Sequence, residues 1–425
     1  MGKKMNSTLL EKLMCYTIIN STVNGPLVLE SWLLFFWRVC MKILHLGDLH
    51  LGKSLLDFDL IKDQEFILNQ VIEIIEKESV SAVLIAGDVY DKSVPSEAAT
   101  RLLDYFLGEL AARKVTTIMI SGNHDSDDRL NFGSSLFKHS HVFISAKYSG
   151  QLDRWVAADG KTKVNVYALP FVKASQVKHY FPDAGIENYE DAVRTILENA
   201  EIDDRQINIL VAHQFVAGKS GDPSLGGSEG AGTQSVGLVE KIGCDLFDRF
   251  DYVALGHIHS PQKIGRETVR YAGSPLKYSL SEVNNKKSVP IISINGAKDI
   301  DVQLFPLTPL REMRHIRGNM TELLKASAVF PKEDFIYATL TDEDVVNDAM
   351  GIFQQIYPNT VKIDYDNSRT RAVEQVDISQ IARNKSFSEL ISEFYRLMYN
   401  CEISDEEMDV MRMAAREAGV LNEAN

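Results

Sequence analysis

The sequence predicts an α/β protein: a large domain of sheet and flanking helices, then a smaller α+β domain and a helical tail. Three observations carry this expectation. Short apolar runs end in small residues; Ala82-Val83-Leu84-Ile85-Ala86-Gly87-Asp88 is too short for a helix and apolar enough for a strand buried on both faces. Amphipathic helical stretches alternate with such runs, which is the βαβ pattern. After Pro306 and Pro309 the pattern changes, and 425 residues exceed what one core usually serves.

In chain order, residues 27–40 hold Leu33-Leu34-Phe35-Phe36-Trp37, but Glu30 and Arg38 interrupt a run shorter than the roughly 20 residues a spanning helix needs. A signal peptide would set its charged end directly before the apolar core and small residues after it; here a polar stretch including Asn20 and Asn24 intervenes. Residues 1–40 read as an upstream mis-start or a poorly packed extension, with Met41 as the natural start of the fold, and no membrane segment is expected. Residues 41–305 form the expected large domain. Its helices lie over 59–78, 96–113 and 186–200. The stretch 218–237 carries seven glycines and cannot hold a helix; it is expected to be a mobile surface loop, either a flap over a site or a plain insertion.

Residues 306–370 form the expected second domain, with strands over 313–317, 336–341 and 361–365. Helices begin near Asn319 and near Asp342, the latter stopped by Pro358. Residues 371–425 are read as linker and tail, the polar stretch running from Asp366 to Lys385. Leu390, Ile391, Phe394, Leu397 and Met398 share one helical face, and Ser404-Asp405-Glu406-Glu407 opens a last helix as a capping box before Met408, Met411 and Ala415. These helices either fold back on their own chain or clasp a partner.

Composition excludes some functions. A net charge of −14 argues against holding nucleic acid by bulk electrostatics, so any DNA contact needs a local patch. Arg311, Arg314, His315 and Arg317, and Lys286-Lys287, are the candidates. The cysteines at 15, 40, 244 and 401 form no CxxC pair, and a reducing, cytoplasmic setting fits.

The chemistry is expected at strand ends. Asp48 and His50 follow the Ile43 run, Asn123 and His124 follow Thr117–Ile120, His213 ends the Asn208 run, and His257 and His259 follow Tyr252–Leu255. In parallel sheets ligands bind outside the carboxyl ends of strands, so five ends meet at one rim. Asp48/His50 and His257/His259 are i, i+2 pairs that extended backbone would aim to one side. Carboxylate, imidazole and one amide, without thiolate, suit manganese, iron or zinc. Asp88 could bridge two ions, and such a pair activates water and neutralises a phosphate for in-line attack. His124 would sit on the substrate side and protonate the leaving oxygen or stabilise the transition state. His45 reads as a core or rim residue.

D-x-H, G-D, G-N-H-D, H and G-H-x-H in this order resemble the calcineurin-like metallophosphoesterases. Longer stretches, Gly87 to Asp91, Phe250 to His259 and Tyr271 to Ser279, resemble the SbcD family, nuclease subunits of bacterial SbcCD complexes. The resemblance runs from Met41 almost to the end. It implies a metallophosphoesterase sandwich, a capping domain that helps place DNA, and a tail that binds an SbcC-type ATPase. One ion would be held by Asp48, His50, Asp88 and His259, the other by Asp88, Asn123, His213 and His257, with Mn²⁺ the family's usual ion and His124 catalytic. Asp91 stands where some relatives carry an assisting histidine. The family acts as an ATP-dependent exonuclease on double-stranded ends and as an endonuclease on single strands and hairpins, in DNA repair, recombination and replication. A homodimer is expected, with helices 59–78 and 96–113 as candidate faces. The alternatives are a small-molecule phosphodiesterase or phosphomonoesterase on the same core, and a scaffold that has lost catalysis. The protein phosphatase branch would want Asp-Arg-Gly where this chain has Asp91-Lys92-Ser93, and no expected ligand is missing.

Overall fold

A computed structural model describes residues 41–159, 162–218, 221–227, 241–296, 298–325, 331–374, 386–399 and 401–417. The extension at 1–40, most of the glycine-rich stretch 218–237 and the linker residues 375–385 lie outside the described residues. The chain divides into two compact units. Of the described residues, the first comprises those up to Gly52, in Gln64–Leu276 and in Lys286–Thr308; the second comprises those in Lys53–Asp63, in Lys277–Asn285 and from Pro309 on.

In the first unit, two six-stranded sheets lie face to face. One runs, in spatial order, Ile300–Pro306, Ser288–Ile294, Met41–Leu46, Ala82–Ala86, Thr116–Ile120 and Val142–Ser145. The other runs Gln262–Ile264, Arg266–Tyr271, Tyr252–Gly256, Ile207–His213, Thr162–Leu169 and Asp153–Asp159. The strands that end in site residues are all in the parallel part of these sheets, Met41–Leu46 beside Ala82–Ala86 beside Thr116–Ile120, and Ile207–His213 beside Tyr252–Gly256. Antiparallel strands occupy positions toward the edges.

Period two along each strand explains the layers. Ile43, Leu84, Ala86, Ile118 and Ile120 face Val164, Val166, Val211 and Ala254 in the space between the sheets. The opposite residues of the second sheet, Leu210, Ala212, Val253 and Leu255, pack under Val193 and Ile196 of the helix Tyr189–Glu198. Helices Ile61–Glu78 and Glu97–Ala112 are the crossovers of the first sheet. Ala99, Leu102, Leu103, Phe106 and Leu110 are all buried, and Ser96 caps the second helix by accepting Ala99 N–H at 3.2 Å. His45 is buried between the sheets, Nδ1 3.1 Å from the Tyr252 hydroxyl, and burial depresses its pKa to about 3, so it is a neutral core histidine.

The second unit holds a three-stranded sheet of Met313–Gly318, Phe335–Leu340 and Thr360–Tyr365, every pair parallel. Parallel neighbours need crossovers, supplied by helices Met320–Lys325 and Ala349–Ile356, so this unit follows βαβ rules itself. Ile336, Ala338, Leu340, Phe353 and Tyr357 form its core. The helix expected from Asp342 begins instead at Ala349, capped by Asp348. Asp342 has other work: its carboxylate accepts Met320 N–H at 2.9 Å and so caps the preceding helix. Residues Ser368–Glu374, within the stretch read as linker, are helical.

Both tail helices exist, Phe387–Tyr399 and Asp405–Glu417. The capping box is formed, with Ser404 N–H on Glu407 at 2.9 Å and Glu407 N–H on Ser404 Oγ at 3.3 Å. Met408 and Ala415 are buried, whereas Phe394, Val410, Met411 and Met413 stay exposed. Among the described residues no helix is long and apolar enough to cross a membrane.

Candidate metal centre

Each site residue lies at or just beyond a strand end in the parallel part of a sheet. Asp48, His50 and Asp88 have φ of 53°, 43° and 46°, and His257 has 104°. Such left-handed or near-left-handed backbone costs a non-glycine residue about 1–3 kcal/mol and persists only where surroundings impose it. The i, i+2 pairs therefore do not lie on extended backbone, and their side chains are aimed by these turns. The two loops of the first sheet are laced together by Asp48 N–H on Gly87 O at 3.2 Å, His50 N–H on Asp88 O at 2.9 Å and Leu51 N–H on Val89 O at 2.9 Å. His257 N–H donates to Asp48 Oδ1 at 2.7 Å and ties the second sheet to the first.

The side chains then form one unbroken sequence of contacts. His259 Nε2 lies 3.1 Å from His50 Nε2, which is 3.5 Å from Asp88 Oδ2. On the other side of that oxygen stands His213 Nε2 at 3.4 Å, followed by Asn123 Oδ1 at 3.0 Å and His257 Nδ1 at 3.1 Å. Asp48 closes on both halves: its carboxylate gathers with His50 and His259, and also with Asp88 and His213. All seven expected ligands are brought together.

These residues fit divalent ions. His213 Nδ1 is 2.8 Å from the Ala86 carbonyl, a bond only an N–H can make, so the lone pair of the neutral ring is left on Nε2. Asp48 Oδ2 is buried without a hydrogen-bond partner, a costly condition that an ion would relieve. Room is reserved by glycine: a Cβ on Gly122 would collide with Asp88, and one on Gly256 would collide with Ala86 O and stand 2.8 Å from His213 Nδ1.

His124 sits beside this row, not in it. Its backbone N–H donates to Asp88 Oδ1 at 2.9 Å, its Nδ1 is 3.0 Å from the Asp91 carbonyl, and its ring meets His50 edge-on at 4.8 Å between centroids. Asn123 is exposed and His124 and His257 are half-buried, whereas Asp48, His50, Asp88, His213 and His259 are buried. The centre therefore opens on the Asn123, His124 and His257 side. Asp91 has its carboxylate 3.6 Å from His50 Nδ1.

Electrostatics without ions are those of a crowded acid and imidazole cluster. Burial raises Asp48 to about 6, against the nearby His213 and His259. Burial also disfavours a charged Asp88, but His213 and His50 outweigh it and hold that carboxyl well below the usual range. For His213 burial opposes the charge, yet Asp88 and Asp48 lift it to about 9, while burial and the His213 charge push His257 down to about 3. A ligand must be deprotonated, so protons compete with metal at His213 below about 9 and additionally at Asp48 below about 6. Apparent affinity for Mn²⁺ is expected to fall about tenfold per pH unit below that upper value and more steeply below the lower one, with proton release at neutral pH. Calorimetry in buffers of different ionisation enthalpy reads this, and a heat independent of buffer would contradict it.

Two residues that composition and spacing passed over hold the loops. Asp125 accepts Val89 N–H at 3.1 Å, Tyr90 N–H at 2.9 Å and Gly122 N–H at 2.9 Å, pinning the Asp88 loop to the Asn123 loop. Its place in Gly122-Asn123-His124-Asp125 was the only signal. Gln64, buried on helix Ile61–Glu78, donates to His50 O at 2.8 Å and accepts Gly52 N–H at 3.0 Å; nothing in its helical position marks that role. The candidate DNA contacts fare differently. Arg311 pairs with Asp63 and lies over the Phe335 ring, Arg314 pairs with Asp334 at 2.6 Å, and Arg317 pairs with Asp366. Lys287 is buried and donates into the fold.

Known proteins resemble this chain in sequence. A family described as calcineurin-like phosphoesterase matches residues 41–261, and one described as a type 5 capsule protein repressor C-terminal domain, of SbcD type, matches 309–399. The SbcD subunit of the SbcCD nuclease from Staphylococcus epidermidis is 34% identical over 380 residues, covering 88% of this chain and 97% of that protein. Among solved structures, an archaeal phosphodiesterase is similar at 13% identity and TM-score 0.28, over 62% of this chain and 100% of that one. A dimetal phosphatase from Danio rerio is similar at 11% and 0.34, over 63% and 99%. Strand ends, ligand row and sequence relatives converge: the chain belongs to the calcineurin-like phosphoesterases, and within them to the SbcD family.

Proposed function

We propose that this chain is the metal-dependent nuclease subunit of an SbcCD-type complex, hydrolysing DNA phosphodiesters as an exonuclease on double-stranded ends and an endonuclease on single strands and hairpins. The observation that carries the reading is Asp88 Oδ2 standing midway in a row of ligand-type groups, 3.5 Å from one imidazole and 3.4 Å from another. A carboxylate so placed could be shared by two cations. Asp48, His50, Asp88 and His259 would hold one ion, and Asp88, Asn123, His213 and His257 the other, with manganese proposed by family resemblance. When bound, such a pair supplies Lewis-acid neutralisation of the phosphate and an activated water.

The chain's own groups do the rest. The open side, at Asn123, His124 and His257, receives the scissile phosphate, and the buried side excludes water. His124, its Nδ1 engaged by the Asp91 carbonyl, is placed to serve the leaving oxygen through Nε2. The exposed apolar residues Phe394, Val410 and Met413 of the tail helices suit an ATPase partner of the SbcC kind, and the cytoplasm suits the cysteine usage. The arginines of 311–317 are paired within their unit, so phosphate contacts by them would have to displace Asp63, Asp334 or Asp366.

The test is cleavage of a labelled DNA hairpin by the purified chain with Mn²⁺, with and without the ATPase and ATP. Stimulated cleavage supports the reading. No cleavage under any condition, with fast turnover of a small phosphodiester, would establish the small-molecule alternative.

A further inference from the structure

Lys287 is 6% exposed, although an ammonium is costly to hold away from water. Its Nζ donates to the His259 carbonyl at 2.9 Å and to Ser274 Oγ at 2.8 Å. The same carbonyl accepts Ser274 N–H at 3.1 Å. Gly273, at φ 74°, lies so close that a Cβ there would stand 2.6 Å from that oxygen. Ser274 Oγ passes its own proton to Leu276 O at 2.7 Å, which fixes it as the acceptor of the lysine.

His259 needs such support. It lies beyond the end of the strand Tyr252–Gly256, and its Nε2 stays 3.1 Å from that of His50. We propose that Lys287 and the Gly273-Ser274 turn form a clamp that positions His259 and thereby sets one of the two ion sites. This rests on the metal-centre reading above. It also gives a task to the stretch Tyr271 to Ser279, none of whose side chains joins the ligand row. Lys287 is a positioning residue, acting through the backbone of His259.

The sign of the effect separates positioning from charge. A positive charge near two cations repels them, so removing it for electrostatic reasons alone would tighten metal binding. Removing a clamp loosens it, and groups that orient metal ligands from outside typically cost about 10–100-fold in affinity when lost.

The full chain is titrated with Mn²⁺ by calorimetry and followed by electron paramagnetic resonance, with Lys287→Met, Ser274→Ala and His259→Ala. The expected result is that wild type binds two ions with an exchange-coupled spectrum. Lys287→Met then weakens one of them about 10–100-fold, the same ion that His259→Ala weakens, and shows the spectrum of isolated Mn²⁺ at equal loading. Ser274→Ala, which keeps the ammonium, weakens that ion less and decides the matter should Lys287→Met fail to fold. Unchanged affinities, equal weakening of both ions, or tightening would overturn the clamp. Failure of wild type to take two ions would instead overturn the metal-centre reading on which it stands.

Discussion

Asp88→Asn is expected to leave the chain folded and to abolish metal-dependent cleavage. The side chain is buried at the end of the Ala82–Ala86 strand, and its Oδ1 accepts the His124 backbone N–H at 2.9 Å, a bond that an amide oxygen keeps. The other oxygen cannot be replaced. Oδ2 lies between His50 Nε2 and His213 Nε2, and an NH₂ there would turn two hydrogens toward groups that need lone pairs directed at the same points. The charge is lost as well, and it is the charge that helps lift His213 to about 9 and would balance two cations. Lewis-acid stabilisation is worth several kcal/mol, and each 1.36 kcal/mol is tenfold, so the rate should fall by about 10³-fold or more. Metal content per chain and hairpin cleavage are the two measurements. Two tightly bound ions and near-normal cleavage in the variant would remove Asp88 from the centre of the mechanism.

The parts of this site that were legible in the sequence are those written in local pattern. The five apolar runs are strands because they are too short for helices, apolar enough to be buried on both faces and closed by small residues, and the polar residues at their ends are brought to one rim by the parallel arrangement. What the sequence could not reveal depends on contacts between distant segments. Lys287 reads as one of a basic pair beside Lys286, yet it is buried and bonded to His259 and Ser274. Arg314 and Arg317 read as a phosphate patch until Asp334 and Asp366 are found beside them. Asp342 reads as a helix start, yet its carboxylate caps a different helix 22 residues earlier in the chain. The left-handed backbone at Asp48, His50 and Asp88 has no local signal either, because none of them is glycine; the loop bonds to residues 87–89 impose it.

His124→Ala is expected to separate chemistry from metal binding. The ring stands outside the row from His259 to His257; its Nδ1 is 3.0 Å from the Asp91 carbonyl, its edge meets His50, and with His50 and Asp91 it forms a separate cluster of ligand-type groups. The bond that matters to the ligands, N–H to Asp88 Oδ1, belongs to the backbone and survives alanine. Two ions should therefore bind with nearly unchanged affinity. Cleavage should fall by about 10²–10⁴-fold, the usual contribution of a positioned proton donor. Because such a donor acts only in the transition state, kcat and kcat/KM should fall together. A scaffold without catalysis would show no activity to lose. If cleavage instead falls in step with metal content, the edge contact with His50 is the ring's main task, and proton delivery to the leaving oxygen must be assigned to another group on the open side.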